Sequence, residues 1–384
     1  MVPDVVVVGA GVIGAACAEA LSARGVRVTV LDRGAPAAAT SASGEGNVLV
    51  SDKAPGPELA LAQASRRRWP ELLAALDLAP AAVEWDSKGG LVVATTDASA
   101  AALAGFADAQ RAAGVDARPV ARDEAVALEP HLTRELAYAV HYPEDAQLQP
   151  VLATTALLAA VRRRGGEVRA GVTATGVRRT AGGVVCETST GPVPCDAVVN
   201  ACGPWAGEFG PPIAVLPRRG NILVTAPLPE LVRHKVYDAD YVGAVTSGDA
   251  ELQTSAVVES THGGTVLIGS SRERVGFDET IRVAALRQMA ARAVRLFPVL
   301  ARVPVIRAYG GFRPYTPDHL PVIGPDPRLP GLWHATGHEG AGIGLAPATG
   351  QLLAELLTGA APHVDPAPFR VDRPAIMREP AVTR

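Results

Sequence analysis

An unbroken apolar run, Val5-Val6-Val7-Val8, leads into Gly9-Ala10-Gly11-Val12-Ile13-Gly14, an alanine-rich stretch to Gly25, and a second apolar run that ends on Asp32. That order predicts strand, glycine turn, helix, strand and terminal acid. Apolar spacing predicts helices over 57–76, 98–113, 122–128 and 150–164, with strand-like runs at 90–95, 137–141, 167–168 and 172–177. A hairpin-like pair begins at 184–188, and over 197–206 a buried strand breaks into a glycine loop and a helix start, repeating the plan of the opening unit. Between 215 and 274 strands alternate with turns, at 221–225, 253–259 and 265–270. An amphipathic helix over 280–297 ends at Pro298, and a Gly/Pro-rich block from 303 closes in a helix over 347–357. The expected class is α/β, α+β overall. A Rossmann-like cofactor domain is assembled from 1–82, 143–214 and 303–384, with a strand-rich substrate domain, 83–142 and 215–302, inserted.

With 384 residues, 48% of them hydrophobic and 20% charged, the chain can bury a sizeable core. Its net charge is −3, and its two basic triplets, Arg66-Arg67-Arg68 and Arg162-Arg163-Arg164, fall in amphipathic helical stretches, so a nucleic-acid partner is not expected. Cys17, Cys186, Cys195 and Cys202 form no C-x-x-C, which argues against an iron–sulfur cluster or zinc knuckle. Reduced thiols suit the cytoplasm. The first strand begins almost at once, leaving no room for a cleaved signal sequence, and no apolar run reaches membrane-spanning length. The expectation is a cytoplasmic protein, with peripheral docking on a membrane or a partner left open.

The opening unit carries the chemistry of a dinucleotide site. Gly9 allows the tight turn, Gly11 lets backbone approach a pyrophosphate, and Gly14 lets the helix lie close to the strand. The helix start at Val12 and Ile13 presents unpaired amides and a positive dipole end to phosphates. Asp32, followed by Arg33, has the spacing of a ribose-binding carboxylate. The loop 37–47 has two readings. In one, Thr40, Ser41, Gly46 and Asn47 extend the phosphate cradle toward a flat ring; in the other it is ordinary surface. The fingerprint alone fits NAD or FAD.

The C-terminal block bears on that choice. Gly310-Gly311-Phe312-Arg313-Pro314-Tyr315 and Gly337-His338-Glu339-Gly340-Ala341-Gly342-Ile343-Gly344 precede a helix expected to open at Ala346-Pro347. Proline in a first turn behind small residues makes a helix N-terminus that a flat ligand can approach, suited to the negative charge of a reduced flavin. Together with the fingerprint, the 40–47 loop and Val199-Asn200-Ala201-Cys202-Gly203-Pro204-Trp205-Ala206, these pieces resemble the FAD-dependent amino-acid oxidase and dehydrogenase family (the D-amino-acid oxidase superfamily) across the whole chain. His234-Lys235-Val236, the stretch 269–278 and His338-Glu339-Gly340 look most like one subgroup. It holds the catalytic subunits of hydrogen cyanide synthase, opine oxidase and D-hydroxyproline dehydrogenase.

That resemblance implies hydride transfer from the amine-bearing carbon of a small amino or imino acid to flavin N5, giving an imine that hydrolyses, with no side-chain base strictly needed. No cysteine lies between Gly310 and Gly324, so FAD should be non-covalent. Arg313 matches the arginine that clamps the substrate carboxylate, where a bidentate fork is apt; its other reading is a structural arginine paired with an acid. Tyr241, Tyr315, Arg272 and His338 are further candidates at the substrate. FAD contacts are expected from the fingerprint and loop residues above. Val172, Ala201, Gly203, Trp205, Gly311, Arg313, Gly337, His338, Glu339, Gly340, Gly342, Ile343 and Gly344 complete the set. His334 and His338 lie four apart but across a glycine loop without an acid, so no metal is expected.

The electron acceptor, whether oxygen, a quinone or a partner subunit, stays open, as does homo- or hetero-oligomerisation. Lys53 reads either as an oxygen-activating charge or as an exposed loop lysine. In the resembled glycine oxidases the substrate sheet carries a tyrosine that has no partner here near 253–257, which puts glycine as substrate in doubt. Among the rivals, an NAD(P)-dependent dehydrogenase leaves the C-terminal glycine block unexplained, and a monooxygenase would need a second G-x-G-x-x-G. No G-x-S-x-G elbow supports a hydrolase. A flavin-bearing subunit inactive without its partners remains.

Overall fold

The computed structural model describes residues 4–241 and 249–377, so residues 1–3, 242–248 and 378–384 of the expected segments lie outside it. β1 (Asp4–Val8) sits inside a six-stranded sheet of order β18 (Val322–Pro325), β19 (Leu332–Thr336), β12 (Ala197–Asn200), β1, β2 (Arg27–Asp32), β8 (Glu167–Ala170). Neighbours run parallel except β18, which is antiparallel to β19. The valine run serves two cores. Val5 and Val7 face a helical layer; Val6 and Val8 pack with Val184 and Cys186 of a three-stranded sheet, β9 (Ala174–Thr180), β10 (Gly183–Thr188) and β11 (Val193–Cys195). A strand buried on both faces has no place for a polar residue. The second strand-to-glycine unit, at β12, lies directly beside β1.

The helical layer comprises α1 (Val12–Ala23), α2 (Pro57–Ala75), α5 (Pro150–Arg163) and α7 (Gly342–Thr358). A second, eight-stranded sheet has the order β17 (Val305–Tyr315), β13 (Leu216–Thr225), β16 (Val266–Arg272), β15 (Gln253–Ser260), β14 (Lys235–Asp238), β4 (Gly90–Ala94), β6 (Tyr138–Tyr142), β5 (Arg118–Val120). It carries α3 (Asp97–Ala112), α4 (Arg122–Leu128) and α6 (Val283–Leu296). In α6, Ala285, Met289, Ala293 and Leu296 are buried at helical spacing. A short pair, β3 (Asn47–Val48) with β7 (Ala146–Gln147), closes the 37–47 loop.

Three expectations need correction. β17, placed by sequence in the 303–384 cofactor segment, belongs to the large sheet, where it runs antiparallel to the whole length of β13. The helix expected from 280 starts at Val283, because Asp278 Oδ1 accepts the Thr280 amide at 2.9 Å and holds that stretch as a turn. The last helix begins at Gly342, so Pro347 lies inside it rather than in its first turn. Proline cannot donate to the carbonyl one turn back, at Ile343. Trp69 Nε1, on α2, donates to that carbonyl instead, at 3.1 Å.

Among the described residues no helix is long and apolar enough to cross a membrane. The Trp69 bond makes a quantitative expectation. Trp69→Phe keeps most of a fully buried ring but orphans a carbonyl, and should lower stability by about 1–3 kcal/mol in urea unfolding. Pro347→Ala restores an amide facing Ile343, so the double variant should recover most of the loss.

Candidate functional site

A cavity of about 460 Å³ opens at the carboxyl ends of β1, β2 and β12 and is walled on its far side by β13 and β17 of the large sheet. Such ends are where open α/β sheets bind ligands. Gly9 has φ +108°, and a Cβ there would stand 2.3 Å from Ala201 O; a Cβ on Gly14 would stand 1.8 Å from Gly9 O. The fold itself requires both glycines. Gly11 differs, since its Cβ would meet only the Ser41 hydroxyl, at 3.1 Å. The helix start beside it is therefore open toward the cavity, with Val12 N donating to Ser41 Oγ at 2.9 Å.

Asp32 accepts the Ala10 amide on Oδ2 at 2.7 Å and the Gly34 amide on Oδ1 at 2.8 Å. A carboxylate has about four lone-pair sites, so the aimed group keeps capacity for a diol. Beside it the Arg33 guanidinium lies 4.1 Å from the Trp205 ring centre, and Trp205 stacks on Phe277 with centroids 5.2 Å apart.

The 37–47 loop is cavity wall, not ordinary surface. Thr40 Oγ1 donates to Phe312 O at 2.8 Å, tying the loop to β17. There Arg313 Nη1 donates to Ser271 O at 2.9 Å, and no carboxylate among the described residues pairs with its guanidinium. Burial, then the nearby Arg272, pushes its pKa down to about 10, still cationic. Its cross-strand neighbour in register, Arg218, is the arginine that meets an acid here, Glu339 at 3.3 Å. Glu339 in turn meets His319 Nδ1 at 2.8 Å.

Of the residues expected from sequence, the cavity gathers Gly9, Gly11, Val12, Ile13, Asp32, Arg33, Thr40, Ser41, Gly46, Asn47, Val172, Ala201, Gly203, Trp205, Tyr241, Gly311, Arg313, His338, Glu339, Gly340, Gly342 and Ile343. Gly14, Gly337, Gly344, Arg272 and Tyr315 are not on its wall. Gly337 packs against Thr316, where a Cβ would come within 2.7 Å of Cγ2. Gly344 borders a small adjoining cavity instead. Arg272 stands behind the wall, 4.6 Å from the Tyr241 ring centre, and Tyr315 packs against His319. His334 is buried between Asn200 and Asp326. Lys53 is not an exposed loop residue: at 4% exposure it pairs with Asp52 at 2.7 Å and Glu58 at 3.7 Å beside the small cavity. Sequence reasoning missed Glu45, Cys202 and Phe312 on the wall. The Thr40-Ser41 loop was a signal for the first, had its acid been weighed.

His338 shares a hydrogen bond between Nε2 and Thr349 Oγ1 at 3.0 Å, while its buried Nδ1 has no partner. Burial pushes its pKa from 6.5 to about 3, so the ring is neutral at physiological pH. The folded value lies below the unfolded one, so the unfolded chain binds the extra proton between them. Stability should fall as pH drops from 6.5 toward 3, by up to about 1.4 kcal/mol per pH unit from this group. His338→Gln should flatten that part of the slope in urea unfolding of ligand-free protein.

The sequence profile of the family described as FAD dependent oxidoreductase matches residues 4–356. The chain is 32% identical over 378 residues to the bifunctional protein ThiO/ThiG of Trichormus variabilis, covering 93% of this chain and 53% of that protein. It therefore spans about half the length of that relative. It is 30% identical over 416 residues to hydrogen cyanide synthase subunit HcnC of Pseudomonas aeruginosa, covering 96% of each. The crystal structure of glycine oxidase from Geobacillus kaustophilus matches with a TM-score of 0.87 and 28% identity, over 97% of this chain and 98% of that one. With the glycine turn, the acid at the tip of β2 and the cavity they border inside the matched span, the chain belongs to the family of FAD-dependent oxidoreductases.

Proposed function

We propose that this chain oxidises the C–N bond of a small amino or imino acid, releasing an imine that water hydrolyses. The observation that carries the reading is Arg313, a partly buried guanidinium on the cavity wall with no acidic partner among the described residues. An unpaired cation held away from water is costly, and a substrate carboxylate relieves that cost with two parallel hydrogen bonds. Neutral His338 adds no competing charge.

The wall suits FAD. The open side of Gly11 and the spare acceptor capacity of Asp32 would hold the pyrophosphate and ribose. The start of α7 and the unpartnered His338 Nδ1 would meet the flavin. Bound FAD supplies the two-electron acceptor. Attachment is non-covalent in this reading: burial pushes the Cys202 thiol, which also faces the cavity, up to about 12, so it is not a thiolate. Arg313 orients the substrate, the 37–47 loop and Phe312 exclude water, and the six- and eight-stranded sheets divide cofactor and substrate between them. A second reading, a flavin-bearing subunit that needs partner chains, rests on the likeness to HcnC.

The test is an anaerobic visible spectrum titrated with glycine, sarcosine, proline, hydroxyproline and D-amino acids, then opened to air. Bleaching by one of them is expected. Rapid recovery in air marks an oxidase, and slow recovery marks a dehydrogenase with a quinone or partner acceptor. A flavin that none bleaches would count against the reading for the isolated chain. Arg313→Ala should retain FAD yet lose about 2–5 kcal/mol of transition-state stabilisation in kcat/KM. Gly11→Val should fold with stability within about 1 kcal/mol of wild type but purify without flavin, because the added methyls enter the cavity.

A further inference from the structure

The loop that carries Thr40 and Ser41 also brings a carboxylate to the cavity, and nothing above employs it. Glu45 lines the wall with its side chain 8% exposed. Its Oε2 accepts from Asn47 Nδ2 at 3.1 Å and lies 4.0 Å from Lys235 Nζ. Its Oε1 has no partner and sits against β16, where a Cβ on Gly269 would be 2.3 Å away. Two residues further along the same strand, Ser271 O holds Arg313 Nη1. One strand therefore touches both the acid and the guanidinium, at positions two residues apart. That is the arrangement an amino-acid zwitterion needs, with its carboxylate on Arg313 and its ammonium on Glu45.

The other acids on the wall do not compete for this role. Asp32 is at the dinucleotide fingerprint with two amides on it, Glu339 is held by Arg218 and His319, and Glu208 is exposed to solvent. Behind Glu45, Lys235 and Glu259 form an ion pair at 3.2 Å with exposures of 2% and 0%, and Lys235 also donates to Asn47 Oδ1. Glu259 Oε1 has no partner either. Two carboxylates thus share one ammonium. The cluster carries one net negative charge when both acids are ionised and none once a proton is added. Burial pushes Glu259 up to about 7, consistent with a site that accepts one proton. The other groups that face this cluster are Tyr309 and Arg313 on β17, Tyr241 near Lys235 and Lys88 near Glu259.

We infer, resting on the amino-acid reading above, that Glu45 is a catalytic residue which takes one proton from the substrate ammonium. R–NH3⁺ and the carboxylate become R–NH2 and the carboxylic acid. The freed nitrogen lone pair is then available to form the C=N bond of an iminium as the Cα hydrogen departs with its two electrons, which bound FAD would accept. Glu259 and Lys235 are positioning residues that hold the Glu45 carboxylate and share the added charge.

The test is the pH dependence of anaerobic flavin reduction by glycine, sarcosine and proline in wild type, Glu45→Gln and Glu45→Asp, each with its FAD content measured. Glu45→Gln should be about 10²-fold slower at neutral pH. It should then gain about tenfold per pH unit, as free amine accumulates, and meet wild type at alkaline pH. Glu45→Asp should keep the wild-type profile at a lower rate. Glycolate, which has the carboxylate but no ammonium, should perturb the flavin band with the same Kd in wild type and Glu45→Gln. A Glu45→Gln variant that equals wild type at neutral pH overturns the inference, as does a loss uniform in pH or shared by glycolate. Wild type reduced by none of the three amino acids would fail the amino-acid reading itself and this inference with it, which separates the two cases.

Discussion

Two hydroxyls on adjacent residues hold the site together. Ser41 accepts the amide at the start of α1, and Thr40 donates to the backbone of β17. One turn is thereby fastened to the six-stranded sheet on one side and to the eight-stranded sheet on the other. Each bond is an ordinary one, worth about 0.5–1.5 kcal/mol net. Their effect is geometric: they fix the turn between the start of α1 and β17, with Gly11 and Arg313 both on the cavity wall. Packing does the rest, because the close approach of Gly14 to the Gly9 carbonyl leaves α1 a single seat on the sheet.

The cavity is electrically graded. At the carboxyl ends of β1 and β2 it offers amides, a helix dipole and a carboxylate already half-engaged. Its other end offers a lone guanidinium on one wall and an unpartnered carboxylate oxygen near it. Lys53, close by, is a cation in name only, since Asp52 and Glu58 cancel it where it lies. Lys53 is thus balanced where it lies, whereas Arg313 on the wall has no carboxylate paired with it among the described residues.

Local grammar was legible in the sequence: the Val5–Gly14 unit, the second strand-to-glycine unit at Ala197, the α4 bounds and the amphipathic α6 all follow from spacing and turn chemistry over a few residues. Features set by distant partners were not. The stretch that forms β17 reads only as part of a Gly/Pro-rich block, and both its strand and its sheet are set by β13, some ninety residues away. The helix runs through Pro347 with the Ile343 carbonyl taken by Trp69, supplied from 274 residues earlier in the chain. Arg272 and Tyr315 have the right chemistry for a substrate site, and only the packing of Tyr241 and His319 puts them behind the wall. Glu45, Lys235 and Glu259 come from three segments, and no window of sequence contains their meeting.

The stack of Arg33, Trp205 and Phe277 has a kinetic consequence. Its three members come from the tip of β2, the loop after β12 and the chain following β16, so it bridges both sheets beside the carboxyl end of β2. An aromatic pair contributes about 0.5–1.5 kcal/mol and an exposed cation–π contact about 0.5–1 kcal/mol. Parting such a stack costs a small fraction of what unfolding the domain would cost. Opening of the cavity on this side therefore needs only local motion, whose rate would follow the strength of these two contacts and not the global stability of the chain.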